Sequence, residues 1–284
     1  MPIQNYPTVF DCTEMTAAVN KLPARPFFFK PLFEVKGVKT TTVSLDIRQG
    51  RIVLIGDSER NTAPESLAGR GAKREWKHLS CAHLAQSDTL APEDLQDVRA
   101  FGSTEPISVA AVYNDKMQQL KDNLAATMEF HRLGAIKGVV LDADGTTVLH
   151  DIFNTFGATK KTLDISFPKT AADDANPILT SILKAKRHVE AAMGGTPFDH
   201  IECIIGSDAY DMLTSHKLVR EYFERWLSNR ENFGNNDYRK RGFPYGGLTF
   251  VERSDVVGGQ TMVAAKKGHV YPVGPGIFKQ YHAP

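Results

Sequence analysis

The sequence has 284 residues, with 34 Lys and Arg against 33 Asp and Glu and a formal net charge of +1. This balance argues against a protein whose main role is to coat nucleic acid or an anionic membrane. Cys12, Cys81 and Cys203 lie far apart, which predicts a reducing compartment rather than a disulfide framework or a zinc module. Apolar runs fall short of the ~20 residues that span a bilayer, and a secretion signal is not evident. We therefore predict a soluble protein made in a cytoplasm.

The N-terminal segment, residues 1–33, is expected to form an extended arm. Prolines interrupt every long element here, and Pro26 and Pro31 closely bracket an aromatic run that begins with Phe27, Phe28 and Phe29. A central strand would not tolerate prolines at this spacing. We expect these rings to be buried against the rest of this chain or against a neighbouring one.

A predicted hairpin and a long polar stretch follow the arm. Residues 38–47 and 51–55 are typical of strands, and Gln49-Gly50 between them predicts the turn. The strand signal fades between residues 56 and 92, where Ala, Gly and Ser are frequent. Because a structureless loop of this length is uncommon inside a compact domain, we expect the segment to leave its domain and dock on a neighbouring subunit.

Two clusters of basic residues stand out. The first lies at residues 70–77 and includes Trp76, and Trp and Arg are the residues that most often anchor protein interfaces. The second lies at residues 239–241, in a predicted loop. Either cluster could contact phosphate or form a solvated face, and at this net charge we favour the solvated or interface interpretation.

The longest helix signal covers residues 106–134. Apolar residues such as Met117, Leu120, Leu124 and Met128 recur at three- and four-residue steps and form one stripe. A helix of ~28 residues would be ~42 Å long. With a single apolar stripe, one face is expected to pack on its own chain while the others meet solvent or another chain.

The second half of the chain alternates helix and strand signals. Asn176 and Pro177 predict the start of a helix that Gly194 ends. Further helices are predicted to begin near Ser207 and Ser215. The predicted strands are residues 200–206, 248–252, 261–267 and 269–273. The class is therefore expected to be α+β, with one helix-and-sheet part before residue 170 and another after it.

The segment VVLDADGTT, residues 139–147, resembles the first motif of haloacid-dehalogenase-type phosphatases. In that alternative, Asp142 attacks phosphorus, Asp144 acts as acid and base, and magnesium bridges the first carboxylate. DADG between two strand-like runs is also a good hairpin turn, which is the interpretation we favour. His78, Cys81 and His83 could supply part of a metal site, but a fourth ligand is not evident.

Several stretches occur in the order of a known family. They are FKPLF and TTTVSLDI, then MEFHRLGAIKGVVLDADGTTVLHDIFNTFG, then GSDAYDMLTSHKLVREYFERW, FPYGGLTFVE and VYPVGPGIFKQYHAP. Their sequence and order resemble the major capsid proteins of lambda-like tailed bacteriophages, the major capsid protein E family. The resemblance covers about residues 27–284. Family members usually continue past the final YHAP, which implies either a shortened chain here or a peripheral sheet that is closed differently.

The resemblance implies the α+β tailed-phage major capsid fold of the Hong Kong phage type. Its parts would be an N-terminal arm (1–33), an extended loop (34–95), a peripheral domain with a long spine helix (96–167), and an axial domain that returns toward the peripheral domain (168–284). The resemblance also implies a structural protein without catalytic residues, cofactor or metal. It would form pentamers and hexamers of an icosahedral head around double-stranded DNA.

The implied partners are further copies of the chain, scaffolding, portal and decoration proteins, and packaged DNA that is contacted non-specifically. The implied location is the virion, with assembly in the host bacterial cytoplasm. Balanced charge is consistent with a shell that must tolerate packed DNA without gripping it. The residues predicted to contact a neighbouring subunit are Phe27, Phe28, Phe29, Arg70, Lys73, Arg74, Trp76, Arg239, Lys240 and Arg241.

Overall fold

The computed structural model describes residues 28–48, 74–91, 108–167, 176–228 and 238–284. These residues form two compact units. The first contains residues 28–30, 82–91 and 108–131, and the second contains residues 31–48, 74–81, 132–167, 176–228 and 238–284. Helices and sheets both occur in quantity, which confirms the predicted α+β class. The division into arm, loop, peripheral and axial parts stays a prediction.

The first unit is built on helix α1, which runs from Val109 to Lys137 and supplies its residues up to His131 to this unit. The Ser108 hydroxyl accepts a hydrogen bond of 3.2 Å from the Ala111 N–H. Ser108 therefore caps the start of α1 by satisfying one of the first backbone N–H groups, which have no partner within the helix. The long helix is thus confirmed, although it lies slightly further along the chain than predicted. Leu124 on the predicted apolar stripe is 42% exposed.

Two side chains of α1 hold other segments of the first unit. Lys116 donates a hydrogen bond of 2.7 Å to the Thr89 carbonyl and forms a 3.3 Å ion pair with Asp88. Near the other end, the Glu129 carboxylate accepts a 2.6 Å hydrogen bond from the backbone N–H of Phe29. Both Glu129 and the Phe29 ring are buried, so this backbone amide gains a charged partner in place of water.

The second unit contains all the strands that the structure describes. They are β1 (Phe33–Gly37), β2 (Thr42–Arg48), β3 (Arg74–Ser80), β4 (Val139–Leu141), β5 (Val148–Asp151), β6 (His200–Ile205), β7 (Phe243–Tyr245), β8 (Leu248–Glu252), β9 (Val256–Val257), β10 (Gln260–Thr261), β11 (Gly268–Val273) and β12 (Phe278–His282). Its remaining helices are α2 (Ile152–Phe156), α3 (Pro177–Met193), α4 (Ser207–Ser215), α5 (Lys217–Ser228) and α6 (Tyr238–Arg241). A 3₁₀ turn, Lys30–Leu32, precedes β1.

A four-stranded mixed sheet, in the order β11, β6, β8, β7, forms the centre of this unit. The pair β6 and β8 is parallel, and the two outer pairs are antiparallel. Ile201, Cys203 and Ile205 alternate along β6 and therefore share one face. The core on this face comprises Ile178, Ile182, Ile201, Cys203, Ile205, Tyr210, Leu213, Val219, Phe243, Tyr245, Leu248 and Phe250. Burying each such large apolar side chain contributes about 1.5–3 kcal/mol.

The helix α3 is confirmed together with its predicted ends. The Asn176 side chain accepts a hydrogen bond of 3.0 Å from the Leu179 N–H, and Pro177 occupies the first helical position. Gly194 follows the helix with a φ of 56°, in the left-handed region that glycine adopts without steric cost. The strand β6 and the helix α4 were also predicted and are present.

One strand was not predicted, and one predicted strand is wrong. The polar stretch from residue 56 to residue 92 contains the strand β3, which pairs antiparallel with β2. Its sequence, REWKHLS, has little of the apolar and β-branched character that marks strands. The predicted strand 261–267 extends only to Thr261, because residues 264–267 turn against the start of α4 instead. The predicted turn at Gln49-Gly50 lies outside the described residues.

Three other strand pairs complete the second unit, and one of them is the short antiparallel pair of β9 and β10. The strands β4 and β5 form an antiparallel hairpin through the DADG segment. The strand β1 pairs in parallel with β12, so that Phe33 lies opposite Phe278 with ring centroids 5.1 Å apart. Among the described helices, none combines the length and apolar content that crossing a bilayer requires.

Candidate assembly surfaces

The two-stranded ribbon of β2 and β3 carries the most exposed aromatic residue of the described chain. The Trp76 side chain is 59% exposed, whereas Val43 on the opposite face of the ribbon is 8% exposed. On the exposed face beside Trp76, the Ser44 hydroxyl and the His78 Nδ1 lie 2.9 Å apart in a cross-strand hydrogen bond. The ribbon therefore buries one face in its own chain and presents Trp76 on the other. An indole in this position offers a large contact area for a partner.

The other predicted contact residues differ in their accessibility. Phe29 is 1% exposed and packs edge-to-face on Phe28 with centroids 5.0 Å apart, so its ring is buried against its own chain. Arg239 and Lys240 are exposed on α6, and the Arg239 guanidinium lies 3.8 Å from the carboxylate of Glu252. The structure does not describe Phe27, Arg70 and Lys73, nor the side chains of Arg74 and Arg241.

The DADG segment forms a tight turn rather than an open acidic site. Both carboxylate oxygens of Asp144 are engaged: Oδ1 accepts the backbone N–H groups of Thr146 and Thr147, each at 2.9 Å. Oδ2 accepts the hydroxyls of Thr146 at 2.9 Å and Thr147 at 2.6 Å. Asp142 accepts its neighbour's backbone N–H, and Gly145 has a φ of 71°. The hairpin interpretation of DADG is therefore confirmed.

The electrostatics of Asp144 also disfavour the phosphatase alternative. Hydrogen bonds from Thr147 and Thr146 hold the pKa of the Asp144 carboxyl well below its usual range. A general acid needs a proton to give near neutral pH, and this carboxyl holds none there. Within the described ranges, no group of three or more His, Cys, Asp and Glu side chains is placed to hold a metal ion, and this includes His78, Cys81 and His83.

The lowered pKa of Asp144 gives a pH-dependent prediction. Because the folded pKa is below the unfolded one, the ionised carboxylate stabilises the fold above the unfolded pKa, and this contribution is lost as pH falls toward the folded pKa. We expect Asp144→Asn to be less stable than the parent at neutral pH, with the difference shrinking in acid. Thermal unfolding followed by circular dichroism at about pH 7, 4 and 3 measures this difference.

Asp164→Asn is the matched control, because it removes an exposed carboxylate in the irregular segment after α2. It should leave the unfolding temperature close to that of the parent throughout the series. The unfolding temperatures of Asp144→Asn and the parent could also differ by the same amount at every pH. That result would contradict the assignment of the ionised carboxylate as the stabilising species.

A second group of basic side chains was not predicted from the sequence. It comprises Lys137 at the end of α1, Lys160 after α2, Lys267 before β11, and His269 in β11. Burial and repulsion from the three lysines lower the pKa of His269 to about 4. Burial and Lys267 also lower the pKa of Lys137, whose ammonium donates a hydrogen bond to the Met262 carbonyl. Three separate segments contribute, because Lys267 and His269 are two residues apart, so no local spacing in the sequence signals the whole group.

The sequence model described as phage major capsid protein E matches residues 11–284. This chain belongs to the phage major capsid protein E family. It is the major capsid protein of a phage and a virion component. The resemblance seen in the sequence is therefore confirmed.

Two relatives and one solved structure are similar to this chain. The major capsid protein of Pseudomonas phage KPP10 is 25% identical over 290 residues, which cover 98% of this chain and 80% of that protein. The major capsid protein of Salmonella phage Felix O1 (isolate Felix O1-VT1) is 23% identical over 220 residues, covering 75% of this chain and 58% of that protein. The asymmetric unit of the bacteriophage PhiM1 mature capsid aligns with a TM-score of 0.43 and 15% identity, over 89% of this chain and 74% of that one.

Proposed function

We propose that copies of this chain assemble into the pentamers and hexamers of an icosahedral phage head that encloses double-stranded DNA. Membership of the phage major capsid protein E family is the observation that carries this proposal. The role is structural: the protein works by making many contacts between copies and not by catalysis. Assembly takes place in the cytoplasm of the host bacterium, with scaffolding, portal and decoration proteins as further partners.

The segments take the roles that the family resemblance implies. Residues 1–33 act as the arm, 34–95 as the extended loop, 96–167 as the peripheral domain with α1 as its spine, and 168–284 as the axial domain. The ribbon of β2 and β3 lies in the extended loop, and its exposed Trp76 is the best placed of the predicted contact residues. We assign Trp76 to a contact between neighbouring subunits.

Replacing Trp76 with alanine tests this assignment. Truncating a central aromatic anchor typically costs about 2 kcal/mol or more, so the concentration at which shells form should rise about thirtyfold or more. The purified protein is concentrated in steps and each sample is imaged by negative-stain electron microscopy and sized by light scattering. The parent is expected to form closed particles at concentrations where Trp76→Ala remains as small oligomers.

Phe156→Ala is the matched control, since it truncates another exposed aromatic residue, on the one-turn helix α2. It should form particles at the parent's concentration. If both variants need an equally higher concentration to form particles, the assignment of Trp76 as an anchor is contradicted. A parent protein that stays monomeric at every concentration and salt condition would count against the assembly proposal itself.

A further inference from the structure

Residues 82–91 follow β3 as an irregular segment, which we call the loop base. The loop base contains neither helix nor strand, and every residue from 82 to 90 is exposed. Even its two leucines, Leu84 and Leu90, remain exposed. Burial of apolar side chains therefore does little to fix the path of this segment, and polar contacts must hold it instead.

Lys116 of α1 holds the loop base in place. Its ammonium donates a hydrogen bond of 2.7 Å to the Thr89 carbonyl and lies 3.3 Å from the Asp88 carboxylate. The Asp88 carboxylate also accepts the Thr89 N–H at 2.8 Å, so the two groups that Lys116 contacts are tied to each other. Within the described ranges, residues 82–90 form hydrogen bonds and ion pairs to the rest of the chain only through Lys116.

The helix α1 gives this lysine a rigid support. Lys116 is half-buried and lies within a helix of 29 residues, whose hydrogen-bonded backbone fixes the start of the side chain. Glu129, which accepts the Phe29 N–H, lies roughly 20 Å further along the axis and roughly 140° around it. The helix therefore holds the loop base and the segment at Phe29 at two separate, fixed points.

We propose that Lys116 is a positioning residue for particle assembly, which fixes the loop base in the free subunit so that the extended loop is directed toward a neighbouring copy before the two meet. This rests on the proposed function and on the assignment of residues 34–95 to the extended loop. Segments that become ordered only on association weaken it, because their lost freedom opposes binding. A loop base that Lys116 already holds loses less freedom when the neighbouring subunit arrives.

A positioning role can be separated from a role in folding. Ion pairs that are partly exposed to water add little to the stability of a fold, and the Asp88 side chain is 43% exposed. Removing the contact should therefore leave the folded subunit intact. Its effect should appear in association, where the direction of the extended loop matters.

Lys116→Met tests the proposal, because it removes the ammonium and keeps an unbranched side chain of similar length. The full chain is concentrated in steps, and particles are detected by light scattering and negative-stain microscopy. The threshold concentration of Lys116→Met is expected to rise about tenfold, while its thermal unfolding, followed by circular dichroism, stays close to that of the parent. Lys116→Arg keeps a cation with donors and should restore the parent's threshold.

Lys184→Met is the matched control, since it removes one exposed lysine from the helix α3 and should keep the parent's threshold. Asp88→Asn removes the ion pair and retains an acceptor for the Thr89 N–H, so its threshold should rise about threefold. If the two side chains act through one contact, Lys116→Met/Asp88→Asn should raise the threshold no more than Lys116→Met alone. Additive effects would overturn the proposal.

Thermolysin, which cleaves before large apolar residues, measures the loop base directly in unassembled protein. Cleavage before Leu84 and Leu90, followed by mass spectrometry, should be about tenfold faster in Lys116→Met than in the parent. Both leucines are already exposed, so the rate depends on the freedom of the segment to fit the protease.

The outcomes separate this proposal from the proposed function. A folded Lys116→Met that assembles at the parent's threshold would overturn the positioning role. A lower threshold would overturn it as well, since the contact would then restrain the loop. Asp88→Asn replaces Lys116→Met if that variant does not fold. A parent that never assembles would refute the proposed function, and equal thermolysin rates in the parent and Lys116→Met would then overturn the positioning of the loop base.

Discussion

Replacing Phe243 with alanine should lower the free energy of unfolding by about 3–5 kcal/mol, the range seen for large aromatic residues in cores. Phe243 in β7 is fully buried, and its ring contacts Phe223 edge-to-face with centroids 5.0 Å apart. Trp226 lies 5.4 Å away and Tyr245 stacks on it at 6.0 Å. The truncation leaves a cavity lined by rings, which can close only if helix α5 moves toward the sheet and loses its present packing.

Trp226 itself reports this change. The chain has 2 tryptophans, so in a Trp76→Phe background the fluorescence comes from Trp226 alone. Urea unfolding at low protein concentration, followed by that signal, gives the stability of the second unit. Tyr222→Ala is the control, because Tyr222 borders the same ring cluster but is 48% exposed. Tyr222→Ala should lower the free energy of unfolding by about 1 kcal/mol or less. Similar losses for the two variants would show that Phe243 does not fill the core as described.

Gly206→Ala is expected to lower the free energy of unfolding by about 3 kcal/mol or more. The added methyl group would overlap backbone atoms, which cannot rotate away as a side chain can. A Cβ at this position would lie 2.3 Å from the carbonyl oxygen of Ala264 and 2.6 Å from that of Ala265. The Gly206 N–H donates to Lys267, and the Ala265 carbonyl accepts the Ala209 N–H, both at 2.9 Å. The turn therefore caps the start of α4 at a distance that only glycine permits.

The comparison is with Gly37→Ala, where an added Cβ meets no atom within 4 Å. The same substitution there should change the free energy of unfolding by about 0.5 kcal/mol or less. Thermal and urea unfolding of both variants provide the measurement, and the yield of soluble Gly206→Ala protein is expected to fall as well. A Gly206→Ala protein as stable as Gly37→Ala would mean that the turn at residues 264–267 moves aside at little cost.

The features that the sequence predicted correctly are encoded over short distances. Asn176, Pro177 and Gly194 bound α3 because capping depends on residues within one turn of the helix ends. The DADG turn was recognised because Asp144 and Gly145 supply local hydrogen bonds and a positive φ. The family resemblance added the assignment to capsid proteins, since its motifs keep their order along the chain.

The features that were missed depend on contacts between distant segments. The strand β3 is polar and is stabilised by pairing with β2, so its own residues give little strand signal. The requirement for glycine at position 206 comes from residues 264 and 265, which no local pattern connects to it. The basic group around His269 likewise draws on three separate segments of the chain. Burial of Phe29 against its own chain was one of two alternatives that the sequence left open.

The parallel pairing of β1 with β12 has a consequence for biosynthesis. Phe33 leaves the ribosome long before Phe278, its partner in the register. At ~5–20 residues per second, the first strand waits roughly 10 to 50 s for the second. Throughout that time the nascent β1 lacks the strand that completes it, and an unpaired edge is prone to pair with another chain. The hydrogen bonds of this small sheet can therefore form only after β12 has left the ribosome, so the second unit is incomplete until that strand has been made.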